Sequence, residues 1–161
     1  MKIGKKSSFK TTKTVEIPRS DGEGFSLQVT SLPLSFSRTA EKICPAPTAP
    51  LKLVRDNGKP IKDSNGSPLK APDFEDPSYK EALQKSTTLQ SIFIFWLAIK
   101  DDANVEFNTS VEGNQPNQKQ LEELSSEIED AGITFGDINI VIKEAMAISN
   151  LDLNNLADAE E

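Results

Sequence analysis

The sequence of 161 residues contains no histidine and only one cysteine. Without histidine, the chain lacks the base that most often activates a serine or cysteine nucleophile. Cys44 has no second cysteine with which to form an internal disulfide, and we expect it to be a small buried side chain. Phosphate-loop and dinucleotide patterns are absent as well. We therefore predict a protein that is not an enzyme and has no catalytic residue, cofactor or metal site.

Two short patterns leave alternatives to that prediction. Ser7 and Lys10 match the S-x-x-K spacing of some hydrolases, but they lie in a lysine-rich segment that offers no rigid frame for a nucleophile. The sequence Asp63-Ser64-Asn65-Gly66 resembles part of a calcium loop, yet its glycine comes at the fourth position instead of the sixth. We interpret it as a turn.

Long hydrophobic runs are also missing. The longest apolar run, at residues 91–99, is about half of the ~18 residues that a membrane-spanning helix needs. The N-terminus carries lysines without the apolar block of a signal peptide. With 36% hydrophobic and 27% charged residues, the composition is that of an ordinary globular protein. We expect a cytosolic protein with no membrane partner.

Charge is distributed unevenly along the chain. Residues 1–72 contain 13 Lys or Arg and 6 Asp or Glu, a net charge of +7, whereas residues 73–161 contain 5 and 19, a net charge of −14. Opposite charges favour docking between complementary surfaces and leave self-association open, although solvated helix faces are the plainer interpretation. The lysine-rich N-terminus lacks interleaved aromatic residues for base stacking, and the acidic half would repel phosphates. We therefore expect no nucleic-acid partner.

The pattern of apolar residues predicts an α+β fold, in which a small N-terminal β-hairpin or meander packs on a C-terminal bundle of three main α-helices. Three parts are expected within one compact domain: a mobile basic arm at residues 1–13, a β-rich part at 14–72 with a Pro-rich connector, and a helical part at 73–161. Alternating apolar residues on both sides of a glycine-rich turn predict the hairpin. The structure of residues 32–50 stays open between a short helix and an extended segment.

Each of the three predicted helices has recognisable ends. Asp76 followed by Pro77 is a typical helix start, and this first helix should run to about Lys100. A loop with a short strand at Val105 and Phe107 should follow. The sequence then supplies capping-box patterns at Asn117 with Gln120 and at Thr134 with Asp137. Gly132 should end the second helix in a Schellman motif, with Ile133 packing back on Ile128.

The second half of the first helix, S-I-F-I-F-W-L-A-I, is apolar on every side. A helix of this kind must be covered on all sides, either by its own domain or by a partner. Internal burial is the simpler expectation for Phe93 and Trp96. If the strands leave one side open, an exposed apolar patch remains, and such patches usually bind other proteins. The candidate partner-binding residues are Ile92, Ile94, Phe95, Trp96 and Leu97.

The order of these elements is similar to that of a known family. A β-rich start, the connector P-A-P-T-A-P, the helix opening D-P-S-Y with Ala82-Leu83, and A-G-I-T with Asp137 before a last helix reaching Ser149-Asn150-Leu151 together resemble the small tail assembly chaperones of long-tailed bacteriophages and prophages. The resemblance extends from about residue 14 to the end. Its more specific motifs lie at residues 76–83 and 131–151.

The resemblance implies a non-catalytic protein that binds the tape-measure protein, keeps its long hydrophobic helices soluble, and helps to recruit tail-tube subunits. It further implies a protein of the host bacterial cytoplasm that is absent from the mature virion. The family contributes no catalytic residues. The alternative is a structural virion protein, a tail or connector adaptor that stays in the particle.

Overall fold

The computed structural model describes residues 10–19 and 22–149, and it has the predicted α+β fold. In chain order the elements are β1 (Thr12–Ile17), β2 (Phe25–Thr30), α1 (Phe36–Ile43), β3 (Leu51–Leu53), β4 (Arg55–Asp56), β5 (Lys59–Pro60), β6 (Lys70–Pro72), α2 (Pro77–Ile99), α3 (Gln118–Asp130) and α4 (Phe135–Ile148). The expected tail at residues 151–161 lies outside the described residues.

The chain forms two compact units, and their boundaries differ from the predicted ones. One unit contains the described residues up to Cys44 together with those from Leu89 onward, and the other is Pro45–Thr88. The predicted single domain with a boundary near residue 72 is therefore wrong, because the N-terminal hairpin shares a core with the C-terminal helices. The two parts of the chain also differ in charge. Pro45–Thr88 has 7 basic and 6 acidic residues, whereas the rest of the sequence has 11 basic and 19 acidic residues.

Strands β1 and β2 form the predicted hairpin. They pair antiparallel, from Thr12 opposite Thr30 to Ile17 opposite Phe25. Alternate side chains are buried against the helices, and both strands contact α4. The predicted arm ends too late, since β1 already begins at Thr12 and the Lys13 ammonium lies 2.6 Å from the Glu144 carboxylate on α4. Residues 1–9 of that arm lie outside the described part of the chain.

The segment that the sequence left open contains a short helix, α1. Of its residues only Ala40 is fully buried, while Phe36 and Ile43 pack against the core with part of their surface exposed. Cys44, directly after the helix, is buried as expected, and this burial raises the pKa of its thiol. Its carbonyl accepts a hydrogen bond from the Gln90 side chain at 2.7 Å.

Helix α2 begins where the sequence predicts. Pro77 is its first residue, and an oxygen of the Asp76 carboxylate accepts the Tyr79 N–H at 2.9 Å, as an N-cap does. The helix ends at Ile99, one residue before the predicted end. Its first half belongs to the unit Pro45–Thr88, and its second half, from Leu89, belongs to the other unit.

The connection between α3 and α4 also follows the prediction. Both capping boxes are complete, at Asn117 with Gln120 and at Thr134 with Asp137. Gly132 has φ +75°, and the Ile133 N–H donates to the Ile128 carbonyl at 3.2 Å. The Gly132 N–H donates to the Glu129 carbonyl at 2.9 Å, which completes a Schellman motif. Ile133 is half-buried and packs against the main core.

In the unit Pro45–Thr88, two short hairpins lie between the paired strands β3 and β6. One hairpin consists of β4 and β5, and the other contains the turn at Asp63. Strand β3 pairs with β6, and β4 pairs with β5. Three backbone hydrogen bonds close a ring where they meet: Val54 N–H to the Leu69 carbonyl at 2.9 Å, Leu69 N–H to the Ile61 carbonyl at 2.8 Å, and Ile61 N–H to the Val54 carbonyl at 2.9 Å. The predicted turn at Asp63 is present, because its carboxylate accepts the Asn65 and Ser67 N–H groups. No residue of this unit is buried.

Replacing Gly132 with alanine should destabilise the protein by about 1 kcal/mol, because an L side chain at a positive φ is strained by roughly 1–2 kcal/mol. Nothing lies within 4 Å of the added Cβ, so the loss comes from the backbone alone. Gly136→Ala is the matched control. Its Cβ meets only the Thr134 hydroxyl at 3.6 Å, and alanine favours the helix, so no stability should be lost. Equal urea midpoints for both variants would contradict this explanation.

Candidate functional site

Four of the five residues predicted to bind a partner are buried inside the unit that contains them. Ile92, Phe95, Trp96 and Leu97 are at most 5% exposed, and Ile94 is half-buried against the same core. They therefore form no exposed apolar patch on the folded chain. The prediction of a docking surface at these residues is wrong, and the simpler alternative of internal burial holds for Phe93 and Trp96.

The second half of α2 is covered by helices as well as by strands. Buried side chains surround the second half of α2 in one continuous core, and they come from β1 (Val15, Ile17), β2 (Leu27, Val29), α3 (Leu121, Leu124, Ile128) and α4 (Ile138, Val141, Ala145). Partly buried residues of α1 and of the loop after α2 complete the core. The Lys100 ammonium lies 5.6 Å from the centre of the Trp96 ring, at a distance typical of a cation–π contact.

An open apolar groove of about 510 Å³ lies on this same unit. Its apolar lining comes from β2, α2, the loop after α2 and the end of α3: Phe25, Leu27, Phe95, Ile99, Val105, Phe107, Ile128, Ala131 and Ile133. Phe25, Val105, Phe107 and Ile133 are only partly buried, so the groove presents apolar surface to solvent. A concave site of this size with predominantly apolar walls is typical of ligand and peptide binding.

Two carboxylates hold the loop that forms one wall of the groove. The buried Asp102 side chain accepts the Gln28 N–H of β2 at 2.6 Å and the Asn104 N–H at 2.9 Å. The Glu127 side chain of α3 accepts the Asn108 and Thr109 N–H groups, both at 2.7 Å. The loop is thus fixed at one end to a strand and at the other to a helix. This places Val105 and Phe107, which lie between the two fixed points, on the wall of the groove.

A third carboxylate joins the hairpin to the connection between α3 and α4. The Arg19 guanidinium donates to Asp137 at 2.7 Å and to the Gly132 carbonyl at 2.9 Å. It also lies 5.1 Å from the centre of the Phe25 ring, which lines the groove. Asp137 accepts the Thr134 N–H of its own capping box at 2.7 Å. One arginine therefore positions a groove residue and a helix end together.

All three carboxylates have lowered pKa values. Burial on its own would raise the pKa of Asp102, Glu127 and Asp137, but the hydrogen bonds that each carboxylate accepts favour its charged form more strongly. For Asp137 the charge of Arg19 acts in the same direction. The ordinary pKa values are 3.8 for Asp and 4.5 for Glu, so these groups are ionised at neutral pH.

The rim of the groove is acidic. Glu106, Glu127 and Asp130 line it, and the described lining contains no Lys or Arg. Glu127 accepts hydrogen bonds from the loop, whereas Glu106 and Asp130 are exposed and form no ion pair with any residue that the structure describes.

Residues 10–19 and 22–149 contain no cluster of three potential metal ligands, and no helix among them is long and apolar enough to span a membrane.

The unit Pro45–Thr88 also has exposed apolar side chains. Six of its large apolar side chains are exposed: Leu51, Leu53, Ile61, Leu69, Phe74 and Leu83. Phe74 makes an edge-on contact with Tyr79, with ring centres 5.9 Å apart. Lys59, Lys62 and Lys70 on the hairpins have no ion-pair partner within the described chain.

The sequence missed the groove although it contained one signal for it. Val105 and Phe107 alternate with polar residues, a pattern that predicts a short strand. The structure has no strand there, and the two side chains line the groove from a loop. The other lining residues come from separate parts of the chain, and no local pattern brings them together.

Replacing Trp96 with alanine should destabilise the protein by about 3–5 kcal/mol, as is usual when a large aromatic side chain is removed from a core. Leu34, which is 99% exposed, supplies the control. Leu34→Ala should change the free energy of unfolding by less than about 0.5 kcal/mol. Urea unfolding measures both values, and a Trp96→Ala protein as stable as the wild type would contradict the burial of this helix.

The lowered carboxyl pKa values predict a loss of stability in acid. Because these groups bind protons more readily when unfolded, their stabilisation is present above the ordinary pKa and is lost as the pH falls below about 4.5. Asp137→Asn should reduce the steepness of this loss between pH 5 and pH 3. Glu112→Gln, at an exposed site, should leave it unchanged. If both variants follow the wild-type curve, Asp137 does not couple folding to protonation.

Comparisons with known proteins leave the family resemblance without outside support. No family model, no curated protein and no solved structure matches the chain. The resemblance to tail assembly chaperones thus depends on the motifs in the sequence.

Proposed function

We propose that this protein is a non-catalytic tail assembly chaperone of a long-tailed bacteriophage or prophage. In this role it binds the tape-measure protein, keeps that protein's apolar helices soluble, and helps to recruit tail-tube subunits. It acts in the host bacterial cytoplasm and leaves before the virion is complete. The motifs at residues 76–83 and 131–151 are the sequence basis of this proposal.

The apolar groove is the observation on which the proposal depends. A chaperone of this kind must offer apolar surface to a client while remaining folded itself. The groove meets both needs, because Phe25, Phe107 and Ile133 keep part of their apolar surface exposed, while two carboxylates hold the loop that forms one wall. The client therefore meets a surface that is already formed and costs little ordering on binding.

The size of the groove favours many weak contacts along a long client. About 510 Å³ accommodates a few side chains, far less than a whole helix. A single contact of this size is weak. Several copies bound along one extended client would gain affinity from their combined effect, which suits a protein that must later be displaced by tail-tube subunits.

The exposed apolar side chains of the unit Pro45–Thr88 favour an alternative, a structural virion adaptor. Six large apolar side chains are exposed on the unit Pro45–Thr88, which has no buried residue of its own. Permanent interfaces are more apolar than transient ones, so such a surface would suit a subunit that stays in the particle. Mass spectrometry of purified virions separates the two functions: stoichiometric presence favours the adaptor, and absence favours the chaperone.

Co-expression with the tape-measure protein tests the chaperone function. The full-length chain should keep the client soluble and co-purify with it. Phe107→Asp should weaken capture roughly tenfold or more, since burying a large apolar side chain contributes roughly 1.5–3 kcal/mol. Phe107 lies on a loop and is only partly buried, so this variant should still fold, which circular dichroism checks.

Leu34→Asp is the matched control, because it places the same charge on an apolar residue of the same unit outside the groove lining. It should leave client capture unchanged. A client that stays insoluble with the wild-type chain would contradict the chaperone function. Equal capture by the wild type and Phe107→Asp would contradict the groove as the client site.

A further inference from the structure

The charge at the mouth of the apolar groove restricts what can bind there. The three ionisable residues that line the groove, Glu106, Glu127 and Asp130, are all acidic. The Glu127 carboxylate accepts hydrogen bonds from the loop, but Glu106 and Asp130 are exposed and form no ion pair with the described residues. A segment that enters the groove therefore meets carboxylates that no described residue neutralises.

The end of helix α3 adds to the negative potential. Asp130 is the last residue of α3, and Ala131 after it also lines the groove. The C-terminal end of a helix carries a partial negative charge and favours cations near it. The helix end and the free carboxylates thus act in the same direction at the same place.

We infer that the groove binds a basic amphipathic segment of the client, one in which Lys or Arg residues flank the apolar side chains that enter the groove. The inference rests on the proposed chaperone function, and it specifies the chemistry of the segment that the groove selects. The apolar side chains contact the partly exposed Phe25 and Phe107, and the basic side chains lie near the carboxylates of Glu106 and Asp130. An acidic segment with the same apolar residues is repelled.

Three fluorescent peptides with the same apolar residues test the inference. Their flanking positions carry Lys, Gln or Glu, and fluorescence anisotropy measures their Kd with the full-length protein. At low salt the Lys peptide should bind about tenfold more tightly than the Glu peptide, with the Gln peptide between them. High salt should reduce this ratio, because contacts between exposed charges are screened.

Two double variants with the same net charge test whether Glu106 and Asp130 cause the preference for the Lys peptide. Glu106→Gln with Asp130→Asn should bring the ratio between the Lys and Glu peptides close to one. Glu41→Gln with Glu112→Gln, at exposed positions outside the groove lining, should leave most of the ratio in place. An equal effect of the two pairs would mean that only the overall charge matters, and this would overturn the inference.

Other occupants of the groove would give different results. If removing residues 1–9 tightened the binding of every peptide, the chain's own lysine-rich N-terminus would be the occupant. If the protein formed oligomers that Phe107→Asp dissociates, a second copy of the chain would be the occupant of the groove. Either result overturns the assignment to a client segment, as does the absence of binding by all three peptides or equal binding of the Lys and Glu peptides.

These failures are distinguishable from a failure of the chaperone function. Co-purification of the tape-measure protein tests the function without any peptide. If the wild type captures the client and the peptides show no charge preference, the function stands and the inference about the segment is wrong. If the wild type captures no client, the function is wrong whatever the peptides show.

Discussion

The need to cover an apolar helix on every side determines the architecture of the larger unit. From Leu89 to Ile99, α2 presents almost no polar side chain to its surroundings, and water contact on any side would be costly. The hairpin, α3 and α4 supply the buried residues that surround it, although they lie far apart in the sequence. The groove lies at the edge of this arrangement, where Phe95 and Ile99 meet the loop and the end of α3.

Three carboxylates, two of them buried and one half-buried, connect the elements that the core brings together. Asp102 joins the loop to β2, Glu127 joins the same loop to α3, and Asp137 joins α4 to Arg19 of the hairpin. Each accepts several hydrogen bonds, which repay the cost of removing a charge from water. Such bonds are directional, so they fix the register between elements that nonspecific apolar packing would leave less defined. These three contacts hold the loop and the hairpin in place beside the groove.

Local features of the fold could be read from the sequence, and long-range ones could not. The caps at Asp76, Asn117 and Thr134 and the glycine at position 132 were predicted correctly because each depends on residues within one or two turns. The covering of α2 and the lining of the groove depend on segments that are far apart in the chain, such as those of Phe25 and Ile133, which no periodicity reveals. The predicted docking residues were wrong for this reason, since an apolar helix looks the same in sequence whether its own unit or a partner covers it.

The ring of three backbone hydrogen bonds in Pro45–Thr88 has a consequence for the dynamics of the chain. A unit in which no residue is buried depends on hydrogen bonds and turns for its order, and short hairpins of this kind are marginal in water. Its amide protons should therefore exchange with solvent through local opening, well before those of the core helices. The Val54, Ile61 and Leu69 amides report directly on this opening, because all three depend on the same ring.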